Sequence, residues 1–325
     1  MNRNNKIFIA GHNGMVGQSF LRSLKRQGYK NLIFRSRKQL DLTNQQDVRN
    51  FMKKNQPDII IIAAAKVGGI YANNTYPSEF FYDNVMISTN IIKSAFENKV
   101  PKLLFLGSSC IYPKNSKQPI EENSLLSSFL EPTNEAYAIA KISGIKFCKY
   151  ISDQYGYDYR SVMPTNLYGL NDNFNLENSH VIPGLIHRMY LAKINNQKVF
   201  RIWGTGKPMR EFMHVEDLVN ASIKILKLSK KKWLEVVGDS NFVNIGVGKQ
   251  ISIFNLSKKI KKYLNYDGKI DFDTSMPDGT IKKGLSDKKF KNFNFKMKYD
   301  LDNGLREVCE WFVANYNDKK PKIRL

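Results

Sequence analysis

Tyr137 and Lys141 stand four residues apart in the run Tyr137-Ala138-Ile139-Ala140-Lys141, so on a helix they share one face. A lysine ammonium beside a phenol favours the phenolate and lowers a pKa that is ordinarily about 10. Such a tyrosine can pass a proton to a carbonyl oxygen near neutral pH while a hydride arrives at the carbon. In a chain with 16 tyrosines the pair alone is a weak signal, and its neighbours matter more. Upstream lies Gly107-Ser108-Ser109-Cys110-Ile111-Tyr112, directly after the apolar run Lys102–Leu106. That order reads as a buried strand giving way to a loop. In an open parallel sheet, ligands sit beyond the carboxyl ends of the strands, so Ser108 and Cys110 are expected to face a bound substrate.

The remaining elements must hold this group against a cofactor. Lys6–Ala10 reads as a buried strand, followed at once by Gly11, His12, Asn13, Gly14, Met15, Val16 and Gly17, and then by a helical pattern through Phe20, Leu21 and Leu24. Strand, glycine turn and helix form the context that makes a glycine motif a phosphate cradle: the glycines permit close backbone approach, and the helix N-terminus faces the pyrophosphate. A plain turn with helix-packing glycines is the other reading. A second strand, Asn31–Phe34, ends in Arg35-Ser36-Arg37, where an NAD enzyme would carry an acid; arginine suits a 2′-phosphate. The sequence therefore predicts NADPH, unless both arginines are merely solvated. Pro57–Ala65 is apolar on both faces, as a parallel strand requires, and Lys66-Val67-Gly68-Gly69-Ile70 follows at its carboxyl end. A helix is expected over Asn84–Asn98, then the Lys102–Leu106 strand, then a cap near Asn134 that starts the Tyr137 helix. Cys148 falls at helical core spacing with Ala138, Ile142 and Ile145. The next strand, Tyr159–Met163, leads to Pro164-Thr165-Asn166-Leu167-Tyr168-Gly169.

After Gly169 the periodicity changes. His180 opens a helix through Ala192, Lys198–Gly204 reads as a strand, and Pro208–His214 as a loop into a Val215–Leu228 helix. The expected architecture is α/β: a doubly wound parallel Rossmann sheet with a smaller C-terminal α/β substrate domain. The division falls at 1–169 and 170–325, with parts of 212–248, including the Phe242–Ile245 strand, returning to the first domain.

At 325 residues the chain can bury a large core and is expected to form two domains. No apolar run reaches membrane-spanning length, and the first strand begins too early for a signal peptide. The expected location is the cytoplasm, with no membrane partner. Cys110, Cys148 and Cys309 are odd in number and far apart, which argues against a disulfide framework or thiolate zinc site. His12, His180, His187 and His214 show no metal-binding spacing, so no metal is expected. The formal net charge of +22 invites a nucleic-acid reading, but no recognition motif accompanies it. Runs such as Ser257–Tyr263 and Thr280–Lys291 read as solvated faces. Part of the field can steer polyanionic small ligands.

The order of glycine turn, strand-end serine and Tyr-x3-Lys resembles the extended short-chain dehydrogenase/reductases. The strings GHNGMVG, AAAKVGGI, NNTYP, LGSSCIYP, EPTNEAYAIAK, SVMPTNLYG, NSHVIP, WGTGKPMREFMHVED and MPDGT together resemble the GDP-L-fucose synthase family over nearly the full length. That family epimerises carbons 3 and 5 of GDP-4-keto-6-deoxy-D-mannose and then reduces the 4-keto group with NADPH. The resemblance implies Tyr137 as proton donor, Lys141 as its electrostatic partner and ribose ligand, and Ser108 as a donor to the keto oxygen. It implies Cys110 and His180 as base and acid of epimerisation. It assigns the cofactor to Gly11–Gly17, to Arg37, Asp41 and Leu42, and to Leu106, Gly107, Ser108 and Ser109. Pro164, Thr165, Asn166, Leu167 and His180 complete that set. It assigns the nucleotide sugar to Arg188, Trp203, Arg210 and Asp278, and it implies a homodimer packed through the Asn84 and Tyr137 helices. His187 and Lys282 stand where arginine is expected, which touches only peripheral contacts.

The residue chemistry agrees. A proton alpha to a ketone becomes removable if the enolate oxygen is stabilised, a role open to Ser108 and Tyr137. A partly exposed cysteine near a cation is a competent base, and histidine titrates near neutrality. Each residue also has a plainer reading: Cys110 as a small packed hydrophobe, His180 as a structural histidine, Arg188 and Arg210 as surface charges, Trp203 as core. Three other functions compete. One is a reductase or epimerase of a different GDP-keto-sugar, such as a GDP-colitose precursor. Another is a non-catalytic NADPH-binding regulator, and the last a basic nucleic-acid binder.

Overall fold

The structure, a computed structural model, describes residues 1–276, 278, 280–316 and 323, with Ile70 described for its backbone alone. Pro277 and Gly279 of the Met276–Thr280 string lie outside the described residues.

The first half alternates strand and helix: β1 (Ile7–Ala10), α1 (Met15–Arg26), β2 (Leu32–Ile33), α2 (Gln45–Asn55) and β3 (Ile59–Ile62). Then come α3 (Ile70–Thr75), α4 (Pro77–Glu97), β4 (Lys102–Leu106), α5 (Glu135–Tyr155) and β5 (Asp158–Pro164). Strand side chains point alternately to the two faces, and here both faces are apolar. Ile7, Ile9, Ile59, Ile61, Leu104 and Leu106 pack into one core, and Phe8, Ala10, Ile60, Ile62, Leu103 and Phe105 into the other. Each Ile, Leu or Phe among them contributes roughly 1.5–3 kcal/mol on burial. A sheet apolar on both sides must be covered on both sides. Helices α2, α4 and α5 cover one face, and α1 and α7 (Val215–Lys227) the other.

The second half contributes β6 (Asn166–Tyr168), α6 (Val181–Ile194), β7 (Val199–Trp203), β8 (Met209–Arg210) and β9 (Phe212–His214) ahead of α7. After α7 come α8 (Lys230–Val237), β10 (Phe242–Ile245), β11 (Ile251–Ser252), α9 (Ile253–Tyr263), β12 (Lys269–Asp273), β13 (Lys282–Lys283), α10 (Lys288–Lys291) and α11 (Leu301–Asn315). β10 pairs with β5, giving one parallel six-stranded sheet of order β10-β5-β4-β3-β1-β2. This is a Rossmann-like doubly wound α/β fold. The strand order reverses between β1 and β3, the crevice where such sheets bind ligands.

Beyond that sheet, β7 and β12 form a parallel pair, and α6, α9 and α11 enclose a third apolar core with Phe200, Ile202, Leu256, Ile260 and Phe312. The Pro208–His214 stretch is not the loop its sequence suggests. β8 pairs with β11 and β13, and β9 with β6. Strands of two or three residues carry too few side chains for a period-2 signal. Glu211, between β8 and β9, explains their anchoring: its buried carboxylate accepts the amides of Val247, of Gly248 at 2.9 Å and of Leu285 at 2.8 Å. Its carbonyl accepts Thr165 Oγ1 at 3.0 Å and Asn166 Nδ2 at 2.9 Å. Three segments are thus held at one residue. No helix among the described residues is long and apolar enough to cross a membrane.

Candidate active site

The glycine turn lies at the β1/β3 crevice. Gly11 has φ +86°, and a Cβ there would stand 2.6 Å from the Ala64 backbone, just past β3. A Cβ on Gly17 would fall 2.2 Å from the Gly11 carbonyl. Both positions need glycine for close backbone approach. Gly14 caps α1 without a side chain, which leaves the first-turn amides open to an anion. His12 packs on Phe34 with ring centroids 4.8 Å apart. Arg35 and Arg37 are exposed beyond β2 with no carboxylate in the Arg35-Ser36-Arg37 turn. The Asp41 carboxylate is committed to Thr43, at 3.0 Å from its amide and 2.8 Å from its hydroxyl, and these bonds hold its pKa down. The Leu42 carbonyl accepts Asn90 Nδ2 at 3.1 Å, tying this loop to α4. Arg35 donates to the Phe34 carbonyl at 2.7 Å and lies 5.8 Å over the Phe51 ring. Open amides, a side-chain-free cradle and, after β2, two exposed cations without an ion-pair bond among the described residues fit a dinucleotide bearing a 2′-phosphate.

Past β4 the chain enters a 3-10 turn, Ser109–Ile111. Ser108 caps it, its Oγ accepting the Cys110 amide at 3.3 Å, and also hydrogen-bonds Tyr137. Leu106, Gly107 and Ser109 form the backbone here, and the Leu106 carbonyl accepts Lys141 Nζ at 2.9 Å. Lys141 is 5% exposed, with its ammonium 5.0 Å above the Phe105 ring and 5.7 Å above the Tyr137 ring. The helical spacing of the pair is as the sequence predicts; the electrostatics are not. Burial, helped by the neighbouring Cys110 charge, pushes the Tyr137 phenol well above its ordinary pKa, against the Ser108 bond that lowers it. Burial also lowers Lys141 to about 8, with Cys110 opposing. Desolvation is the largest cause of both shifts, and the ammonium is directed at the Leu106 carbonyl rather than at the phenol. A neutral phenol is the form that can donate a proton.

Cys110 is partly exposed and free, whereas Cys148 and Cys309 are fully buried. The Cys110 sulfur accepts Asn134 Nδ2 at 3.7 Å. Asn134 occupies the N-cap of α5, but its side chain makes no capping bond, contrary to the role its sequence position suggests. Pro164 ends β5 in register with Ile245. Thr165 and Asn166 are fixed to Glu211, and Leu167 pairs with Met213.

His180 sits at the N-cap of α6, exposed itself yet with protein packed around its ring, which lowers its pKa by desolvation. The segment before it is tied to the β3 end of the crevice: the Gly69 amide donates to the Asn178 carbonyl at 3.2 Å. The Lys66 end of that loop is locked by buried Asn84, which bonds the Lys66 amide at 2.9 Å and carbonyl at 3.0 Å. Neither Asn84 nor Glu211 was singled out as functional from sequence, although a polar residue on the buried stripe of a helix was a signal available for Asn84.

Farther along α6, the Arg188 guanidinium lies 4.5 Å over the Trp203 ring and 5.7 Å from Phe200. Trp203 is 49% exposed, so it is not core. Asp278 accepts the Thr205 amide at 2.9 Å and hydroxyl at 2.6 Å, bonds that hold its pKa down. Arg210 Nη1 donates to the carbonyls of Met209 at 2.8 Å and Thr280 at 2.5 Å. Burial lowers the Arg210 pKa and the Asp278 charge raises it. Arg188, Trp203, Asp278 and Arg210 thus form one chain of neighbours, with two partly desolvated guanidiniums beside an exposed indole. That set suits a diphosphate and a flat base. His187 is buried instead, its Nδ1 2.7 Å from the Phe174 carbonyl. Among the described residues there is no group of side chains that could hold a metal.

The family model described as the NAD dependent epimerase/dehydratase family matches residues 7–246. A GDP-L-fucose synthase of Escherichia coli strain K12 is 48% identical over 311 residues, 95% of this chain and 97% of its own. GDP-L-fucose synthase 1 of Arabidopsis thaliana is 48% identical over 310 residues, 95% of this chain and 94% of its own. Among solved structures, a GDP-mannoheptose C4 reductase from Campylobacter jejuni with NADP bound is similar with TM-score 0.88 and 32% identity, covering 96% of this chain and 99% of its own. With that likeness spanning both the dinucleotide crevice and the Arg188–Arg210 cluster, the chain belongs to the NAD dependent epimerase/dehydratase family and, within it, to the GDP-L-fucose synthases.

Proposed function

We propose that this protein converts GDP-4-keto-6-deoxy-D-mannose to GDP-L-fucose with NADPH, epimerising carbons 3 and 5 and then reducing the 4-keto group. The observation that carries this reading is one cluster after β4: a neutral phenol, a serine hydroxyl, an accessible thiol and a buried ammonium. It occurs in a chain nearly half identical, end to end, to proteins named for that product.

Gly11–Gly17 and the open amides of α1 would hold the pyrophosphate, Arg35 and Arg37 the 2′-phosphate, and Leu106–Ser109 with Pro164–Leu167 the nicotinamide side. NADPH, when bound, supplies the hydride that reduces carbon 4. Ser108 and Tyr137 donate to the keto oxygen and stabilise the enolate formed when a neighbouring proton leaves. Cys110, as thiolate, removes the proton alpha to the ketone, and His180 delivers one to the opposite face through its imidazolium, the minority form near neutrality because burial lowers its pKa. Exchange with solvent restores both groups, so solvent hydrogen enters at carbons 3 and 5. In the reductive step Tyr137 gives its phenolic proton to the oxygen at carbon 4. Lys141 in its charged form stabilises the tyrosinate left behind. Arg188, Arg210 and Trp203 bind the GDP moiety, with Asp278 bracing the Thr205 turn.

The lobes divide the work: 1–169 with parts of 212–248 for the cofactor, 170–325 for the substrate. Helices α4 and α5 pack side by side and expose Phe81, Tyr82, Ile139 and Tyr150, an apolar surface that supports a homodimer through this pair. Three free cysteines suit a reducing compartment, and we assign the protein to the cytoplasm.

A second reading keeps the site and changes the sugar, favoured by the likeness to the Campylobacter jejuni heptose reductase. NADPH oxidation across a panel of GDP-4-keto-sugars separates the two. The 6-deoxy-mannose compound is expected to have the highest kcat/KM, by at least about tenfold over its competitors. A heptose or dideoxy sugar in first place overturns the assignment, and no oxidation with any of them returns the chain to a non-catalytic role.

A further inference from the structure

An asparagine at a helix N-cap ordinarily gives its side-chain oxygen to an amide of the first turn. This chain uses such caps: Asn44, Ser229, Ser252 and Asp300 each accept that bond at the starts of α2, α8, α9 and α11. Asn134 does not. It holds the N-cap position of α5 with no capping bond, and its Nδ2 donates instead to the Cys110 sulfur at 3.7 Å. Its Oδ1 is buried without a hydrogen-bond partner among the described residues. The helix forgoes a stabilising contact, and a desolvated carbonyl is left unsatisfied, which is a further cost. Among the described residues, the one hydrogen bond the side chain gains in return is to the sulfur.

We propose that Asn134 is a positioning residue for Cys110, whose Nδ2–H holds the sulfur in place and favours its thiolate form. This rests on the reading of Cys110 as the base of epimerisation. A hydrogen bond to a charged acceptor is stronger than one to its neutral form, so donation from the amide draws the sulfur toward the deprotonated state. The backbone around both residues is fixed. Ser108 Oγ accepts the Cys110 amide at 3.3 Å, and the Asn134 amide donates to the Glu131 carbonyl at 3.1 Å. Glu131 is itself paired with Lys114 at 3.3 Å. The other titratable groups facing Cys110 are Tyr137 and Lys141 on α5, both of which feel its charge. Of these, Lys141 aims its ammonium at the Leu106 carbonyl, which leaves Asn134 as the donor in contact with the sulfur.

The test uses two substitutions that keep a capable N-cap and should therefore fold. Asn134→Asp preserves shape but removes the donor, and Asn134→Ser favours capping over reach. The pH dependence of iodoacetamide alkylation reads the Cys110 thiolate without substrate. Cys148 and Cys309 are buried with thiols pushed up in pKa, and Cys110→Ser supplies the background. The alkylation midpoint is expected to rise by about one pH unit in both variants. Deuterium exchange into the GDP-keto-sugar without NADPH should fall about tenfold at pH 7, while the Tm holds or increases. Wild-type alkylation midpoints in both variants overturn the inference. Wild-type exchange in Cys110→Ser overturns instead the reading of Cys110 as the base, and the alkylation result then judges Asn134 alone.

Discussion

Raising the pH through 8 should slow reduction, because Lys141 loses its charge there. Its ammonium is 5% exposed, bonded to the Leu106 carbonyl at 2.9 Å, with the Phe105 and Tyr137 rings 5.0 and 5.7 Å away. Removal from water brings the pKa from 10.5 to about 8, with Cys110 opposing the shift. That gap corresponds to roughly 3 kcal/mol of net cost for holding the charge in this position. The charged fraction then falls from about nine-tenths at pH 7 to about one-tenth at pH 9. Tyr137, pushed well above its ordinary range, does not titrate in that window. If the ammonium stabilises the tyrosinate, single-turnover hydride transfer should slow about tenfold between pH 7 and pH 9. The assay is stopped-flow loss of NADPH absorbance, with NADPH deuterated at the transferred position to confirm that the hydride step is being read. Lys141→Arg, charged throughout, should be slower overall yet lack the limb. A flat profile from pH 7 to 9.5, or the same limb in Lys141→Arg, refutes the reasoning.

Three further outcomes follow from the geometry. Arg37→Ala should narrow the preference for NADPH over NADH by about one to two orders of magnitude, since a charge-assisted contact is worth roughly 1.5–3 kcal/mol; kcat/KM with each cofactor measures this. Trp203→Ala removes the ring 4.5 Å below Arg188 and should raise KM for the GDP-sugar about 2- to 30-fold by loss of roughly 0.5–2 kcal/mol. Its half-exposed position means Tm should change little, as a thermal melt would show. Gly11→Ala places a Cβ 2.6 Å from the Ala64 backbone at φ +86°, so chemical denaturation should show a loss of about 2–5 kcal/mol.

The dinucleotide half was legible because its strands are continuous apolar runs. Lys102–Leu106 is β4 residue for residue, Ile59–Ile62 lies inside Pro57–Ala65, and Gly11–Gly17 joins β1 to α1 as expected. Phe242–Ile245, although interrupted by Asn244, returns to the sheet beside β5 as expected. What the sequence hid was set by distant partners. β8, β9, β11 and β13 have two or three residues each and exist because Glu211 and its neighbours hold them, not because of any local period. Helical spacing put Tyr137 beside Lys141, but the direction of their pKa shifts depended on burial, and spacing carries no information about that. Asn134 likewise read as a cap from its position, while its bond to Cys110 joins residues 24 apart in the chain.

The central claim is that one site both epimerises and reduces. It is tested most directly by converting GDP-4-keto-6-deoxy-D-mannose with NADPH in heavy water and reading the product by NMR. The account predicts GDP-L-fucose with deuterium at carbons 3 and 5 and protium, delivered from NADPH, at carbon 4. A reduced product that keeps protium at carbons 3 and 5, with the configuration of the starting sugar there, would contradict it.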